Sequence, residues 1–171
     1  MTPILAKSDE RLTARQKERL EMGRGRLVKV APFYGYIACK TPFVMDSSIH
    51  PPTMATNGKV IFAHPDYVRK LTDGQVVTEV AHEATHNVLR HCQRRNGRTI
   101  RRWRIACDIA DDLLLMGSHG FHKTGTYSDG SSFEMVPWSI AVALGSSVER
   151  YRNLTAEQIY NLLPEDLPGG G

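Results

Sequence analysis

The sequence is poor in cysteine, and that absence removes one class of folds. Only Cys39, Cys92 and Cys107 occur among 171 residues, odd in number, widely spaced and without a C-x-x-C pair. This excludes a disulfide framework and suits a reducing compartment. Long apolar runs are also missing: none approaches the roughly 18 residues that a membrane-spanning helix needs. The N-terminus, MTPILAKSDERLTARQKER, turns charged before a signal-peptide core can build. The expected location is therefore cytoplasmic. No internal repeat is present. A strong charge of either sign is lacking too, since the formal net charge is +4. So mild an excess does not by itself indicate nucleic-acid binding.

What the chain does contain is one dominant stretch, Val76 to Asn96, reading VVTEVAHEATHNVLRHCQRRN. Thr72-Asp73-Gly74-Gln75 precedes it with the T-x-x-Q pattern of a capping box. Val76, Val77, Val80, Ala84, Val88 and Leu89 then recur at three and four, predicting a helix with a buried stripe that stops at Asn96-Gly97. At its centre His82-Glu83-Ala84-Thr85-His86 spells H-E-x-x-H. With about 100° per residue, His82 and His86 stand about 40° apart on one face and can hold a single metal ion. Glu83 flanks that face and is placed to take a proton from a water on the metal. The pattern predicts a Zn2+ site and a zinc-dependent metallopeptidase acting on a protein or peptide substrate.

A catalytic zinc needs a third protein ligand. His91 lies about 140° around a continuous helix from His86, which leaves it a supporting role. His119 and His122 fall in a loop and could swing in. Asp108 lies on a second predicted helix, Thr99 to Met116, among Ile105, Ala106 and Ile109, where an unpaired carboxylate is costly to bury. A metal ion or an upstream arginine would each resolve that cost.

The remaining elements read in order. A surface helix is expected from Ser8 to about Met22, ended by Gly23 and Gly25. Leu27 to Val44 reads as a hydrophobic segment or strand pair. Val60 to Phe62 reads as a strand entered from Asn57-Gly58, and its edge could take substrate as an added strand. Asp66 to Lys70 reads as a helical turn. Ser118 to Ser132 reads as a loop, and Phe133 to Val148 as either extended or a short helix around Ile140 to Leu144. A second capping box at Thr155 to Gln158 opens a helix closed by Pro164. Residues 1–25 are taken as an N-terminal helix, 26–163 as the domain, and 164–171 as the start of a Gly-rich linker.

Taken together, P-F-Y (Pro32 to Tyr34), T-N-G (Thr56 to Gly58), HEATHNVLRH (His82 to His91), W-R-I-A-C-D (Trp103 to Asp108) and SVERYRNLTAEQIY (Ser147 to Tyr160) resemble one family. It is the zincin-like metallopeptidase domain found N-terminal to a von Willebrand factor A-like module in bacterial and phage proteins. The resemblance implies an α+β zincin-like fold, with an active-site helix and a second ligand helix packed on a small β-sheet. It implies His82 and His86 as metal ligands, Glu83 as base and Asp108 as third ligand, with a von Willebrand factor A-like module as a partner in the full-length protein. The chain departs from the family in carrying Asp112 where Asn is common and T-N-G where T-D-G is common. Asp112 is about 40° from Asp108 on the helix, placed to add a ligand or to support one.

A different class of function also has a basis in the sequence. Seven arginines and no acid lie between Arg90 and Arg104, with Trp103 among them. A zinc-stabilised binding module or pseudoenzyme, contacting nucleic acid through that segment, is the alternative.

Overall fold

The computed structural model of the chain describes residues 3–117, 121, 124–134, 144 and 147–167, with side chains from Glu10 onward except those of Thr124, Phe133 and Glu134. Its architecture is α+β, mostly helical with a small sheet. Helix α1 spans Pro3–Val30 and α2 spans Pro32–Cys39. Three short strands follow: β1 (Phe43–Met45), β2 (Met54–Thr56) and β3 (Ile61–Ala63). Next come α3 (Pro65–Lys70), α4 (Asp73–Val88) and α5 (Ile100–Met116). Strands β4 (Thr124–Thr126) and β5 (Ser132–Glu134), a 3-10 turn at Val148–Tyr151 and α6 (Ala156–Leu162) complete the described elements.

Helix α1 corrects one expectation. It runs through Gly23 and Gly25 instead of stopping there. The reason is packing. A Cβ on Gly23 would sit 2.5 Å from Val76 Cγ1, so this glycine lets α1 approach α4. Leu20 and Leu27 are fully buried on the same side. Arg19 donates to the carbonyls of Val68 (2.7 Å) and Leu71 (2.6 Å) and meets Asp73 at 3.3 Å. It thereby satisfies carbonyls at the end of α3 and an acid at the start of α4.

The segment expected as a strand pair is largely helical. Pro32 starts α2 with its φ already set for a helix, and Gly35 permits contact with α1, since a Cβ there would lie 2.5 Å from Val28 Cα. Only Phe43–Met45 becomes a strand. It pairs in parallel with β3, while β2 pairs with β3 antiparallel, giving the order β1-β3-β2. The β2–β3 turn has Gly58 at φ 88°. Asn57 Oδ1 accepts from the backbone of Lys59 (2.9 Å) and Val60 (3.1 Å), as Asn does in tight turns. β3 is thus central, and β2 forms the edge beside the cleft.

Helix α4 begins as expected, with both bonds of the Thr72–Gln75 capping box formed. It ends earlier than expected, at Leu89, where Arg90 takes φ 55° and turns the chain aside. The Gly- and Ser-rich stretch expected as a loop contains the β4–β5 ribbon. Gln75 Nε2 donates to Thr126 O at 3.2 Å, tying the ribbon to α4. His119, His122 and residues 135–143 lie outside the described residues.

Among the described residues two large apolar clusters organise the molecule, beside a small one of Trp103, Cys107 and Ala156. One gathers α1 to α4 and the sheet around Leu27, Ile61, Val76 and Val80. The other joins α5, the 3-10 turn and α6 through Ile109, Tyr151, Ile159 and Leu163. α5 is two-faced, with Ala106 and Ile109 turned toward α6 and the acids on the opposite side. Among the described residues no helix is long and apolar enough to cross a membrane.

Candidate active site

Helix α4 presents Glu79, His82, Glu83 and His86 on one face, the i, i+3, i+4, i+7 spacing of neighbouring turns. α5 offers Asp108, Asp111 and Asp112 to that face. The two helices cross in opposite senses, so that His82 faces Asp112 while His86 faces Asp108 and Asp111. Between them lies a cleft of about 580 Å³, walled on one side by β2.

At the centre three donor atoms converge. His82 Nε2 and His86 Nε2 are 3.1 Å apart. Asp108 Oδ1 lies 3.2 Å from His86 Nε2 and 3.7 Å from His82 Nε2. Ligands at about 2.0–2.1 Å from a tetrahedral zinc are separated by roughly 3.3 Å. The triangle therefore has the size of one face of such a site.

Each histidine has a carboxylate behind it. His82 Nδ1 is 2.7 Å from Asp112 Oδ1, and His86 Nδ1 is 3.0 Å from Asp111 Oδ2. A carboxylate on Nδ1 fixes the tautomer that leaves Nε2 free as a ligand. Asp111 is also close enough to form an alternative group with His82 and His86, all three offering atoms within 4.8 Å. It approaches His86 from the Nδ1 side, however, and leaves the Nε2 pair to Asp108.

The early end of α4 brings His91 back onto the site. It is 3% exposed, with Nδ1 3.0 Å from His86 Nδ1 and 3.4 Å from Asp111 Oδ2. Trp103 Nε1 donates to its carbonyl at 3.0 Å and packs edge-on against its ring. Helix α4 does not continue to His91, yet His91 meets His86 at Nδ1 and stays off the donor triangle.

A model of one family, described as “Putative metallopeptidase domain”, matches residues 15–171. The chain belongs to that family. No curated protein and no solved structure matches it. For a metallopeptidase domain the polar atoms left over are informative. Glu83 is 4% exposed, and among the described residues neither its Oε2 nor His91 Nε2 has a hydrogen-bond partner. Buried polar groups without partners are rare in folded proteins, and a water held at the donor triangle would give the Glu83 oxygen one.

The electrostatics of the metallopeptidase domain agree. Burial works against a charged His86, but Asp108 and Asp111 outweigh it and push its pKa up to about 10. His82 is raised in the same way by Asp112 and Asp108 against burial. Asp108 is held well below the usual carboxylate range despite its burial, through both histidines. The carboxylates around both histidines thus favour positive charge at this point. Burial raises Glu83, which the two histidines only partly offset.

The sequence pointed to His82, Glu83, His86 and Asp108, and the fold brings all four together. It gave Asp112 two roles, and the 2.7 Å contact puts its carboxylate on His82 Nδ1. Asp111 was missed. Its signal was available, since it sits at i+3 from Asp108 on the acid-bearing face of α5.

Proposed function

We propose that this chain is a zinc-dependent peptidase in which His82 Nε2, His86 Nε2 and Asp108 hold Zn2+ and Glu83 is the general base. The observation that carries the reading is the donor triangle of 3.1, 3.2 and 3.7 Å with a buried, unpartnered Glu83 oxygen beside it. Two imidazole nitrogens and one carboxylate are a donor set suited to zinc. Zinc bound there would supply a Lewis acid that brings the pKa of water toward about 7 and polarises a peptide carbonyl.

The chain's own groups do the rest. Glu83, raised by burial, accepts a proton from the attacking water and returns it to the nitrogen of the leaving amine. Asp112 and Asp111 hold the imidazoles in the orientation that keeps Nε2 aimed inward. Thr53 to Thr56 line the cleft, and β2 has no strand on its outer side among the described residues. An extended peptide can add there as a further strand. This moves the expected docking strand from β3, which is central, to β2.

The test is Glu83→Gln. The variant should keep stoichiometric zinc by elemental analysis and lose peptide hydrolysis by at least about 100-fold, as expected for loss of a general base. Undiminished hydrolysis by that variant would sink the mechanism.

A further inference from the structure

The cleft carries opposite character at its two ends. One end holds half-buried Glu79 with Tyr67 and Tyr127. At the other end stand Arg95, from the segment joining α4 to α5, and Arg104. Arg104 precedes Asp108 by four residues and therefore shares its face of α5, about 6 Å further along the axis. Both arginines are exposed, and neither guanidinium has an ion pair or hydrogen bond among the described residues.

Their neighbours are committed elsewhere. Arg94 forms a two-pronged pair with Glu157, at 3.0 and 2.5 Å. Arg98 donates to the carbonyls of Arg94 and Arg95 and stacks on Trp103. Arg102 stacks on Tyr160 at 4.4 Å. Helix α5 starts without an acid in its first turn and without a side-chain cap on Thr99, so its dipole adds to the positive field at this end. Two uncommitted guanidinia therefore face the cleft within reach of a bound chain.

Resting on the peptidase reading above, we propose that Arg95 and Arg104 form a carboxylate-binding subsite. It gives the cleft a preference for peptides with an acidic side chain or a free C-terminal carboxylate two to three residues from the bond to be cut. An extended chain advances about 3.3 Å per residue, so the offset of Arg104 from Asp108 plus the length of its side chain sets that spacing. A nucleic-acid strand fits less well. Its phosphates would run past Glu79, Glu83, Asp108 and Asp112, all lining the same cleft, whereas one carboxylate meets only the basic end.

The experiment uses zinc-loaded Glu83→Gln protein and fluorescence anisotropy at low salt. The probes are labelled decapeptides differing only in Glu against Gln, each with an acid or an amide C-terminus, and a short single-stranded oligonucleotide. A carboxylate peptide should bind roughly five- to tenfold more tightly than its neutral counterpart, as two exposed charge-assisted contacts allow. The Glu/Gln and acid/amide arms separate the two sources of carboxylate. The advantage should vanish in Arg95→Gln/Arg104→Gln and persist in Arg150→Gln, which changes an arginine outside the cleft.

Equal affinity for charged and neutral peptides, or no peptide binding, overturns the subsite. So does an oligonucleotide that outbinds the peptides with the same arginine dependence. Hydrolysis by the unmodified protein without acid preference would remove the subsite and leave the peptidase. Acid-selective binding without any hydrolysis would do the reverse.

Discussion

Replacing Asp108 and Asp111 separately by Asn distinguishes a metal ligand from a group that steadies one. The two carboxylates are one turn apart on α5 and both touch His86, but at different nitrogens: Asp108 at Nε2, 3.2 Å away, and Asp111 at Nδ1, 3.0 Å away. In Asp111→Asn the donor triangle survives and only the hold on the His86 ring weakens. Zinc affinity should then fall about 10–100-fold, equivalent to about 1.4–2.7 kcal/mol. Asp108→Asn removes one of three donors and should cost more than 100-fold. The assay is competition with a chromophoric zinc chelator at pH 7.5, with circular dichroism to check folding. Asp111→Asn carries a second signature. Its carboxylate is fully buried, yet His86 and His91 hold it below the usual carboxylate range, so removing the charge should make the metal-free protein less stable in urea at that pH. If Asp111→Asn loses more affinity than Asp108→Asn, the ligand set is His82, His86 and Asp111, and the reasoning from the triangle fails.

Two further outcomes follow from other parts of the fold. Burial raises Glu79 to about 7, only partly relieved by His82, while an unfolded chain titrates near 4.5. The folded state thus binds more protons between those values, and stability falls as pH rises from about 4.5 to 7, with the penalty complete above 7. In metal-free protein Glu79→Gln should be neutral at pH 4 and stabilise by about 3 kcal/mol at pH 8 in urea denaturation; equal effects at both pH values would contradict the burial argument. Gly35→Ala and Gly25→Ala should have opposite signs. A Cβ at Gly35 strikes the Val28 backbone at 2.5 Å, and one at Gly25 meets nothing within 4 Å. Unfolding curves should show a loss of about 1–3 kcal/mol for the first and a gain of roughly 0.5–1 kcal/mol for the second.

Elements governed by local chemistry were legible in the sequence. The Thr72 and Thr155 capping boxes, the Asn57-Gly58 turn and the start of α5 all depend on residues within a few positions of one another. Elements governed by distant contacts were not. Gly23 looks like a helix stop until α4 is seen to press against it, and Pro32 to Cys39 looks strand-like until α1 provides a helical partner. The end of α4 was misjudged because Arg90, not a glycine, adopts the positive φ. At the site, H-E-x-x-H and Asp108 could be read from spacing and resemblance. Asp111 shares the helical face of Asp108, but its role becomes visible only with its partner, a histidine nitrogen 25 residues earlier in the chain.

Helix α5 also decides how the two halves of the molecule adhere. Its apolar residues serve the cluster shared with α6, and, apart from Leu115, its opposite face meets α4 through aspartates and histidines. Among the described residues the two greasy interiors are joined by a polar seam and not by one continuous core. Melting of one half is therefore communicated to the other largely through charge. An acid pulse or a change in salt can alter the cooperativity of unfolding while leaving both interiors packed.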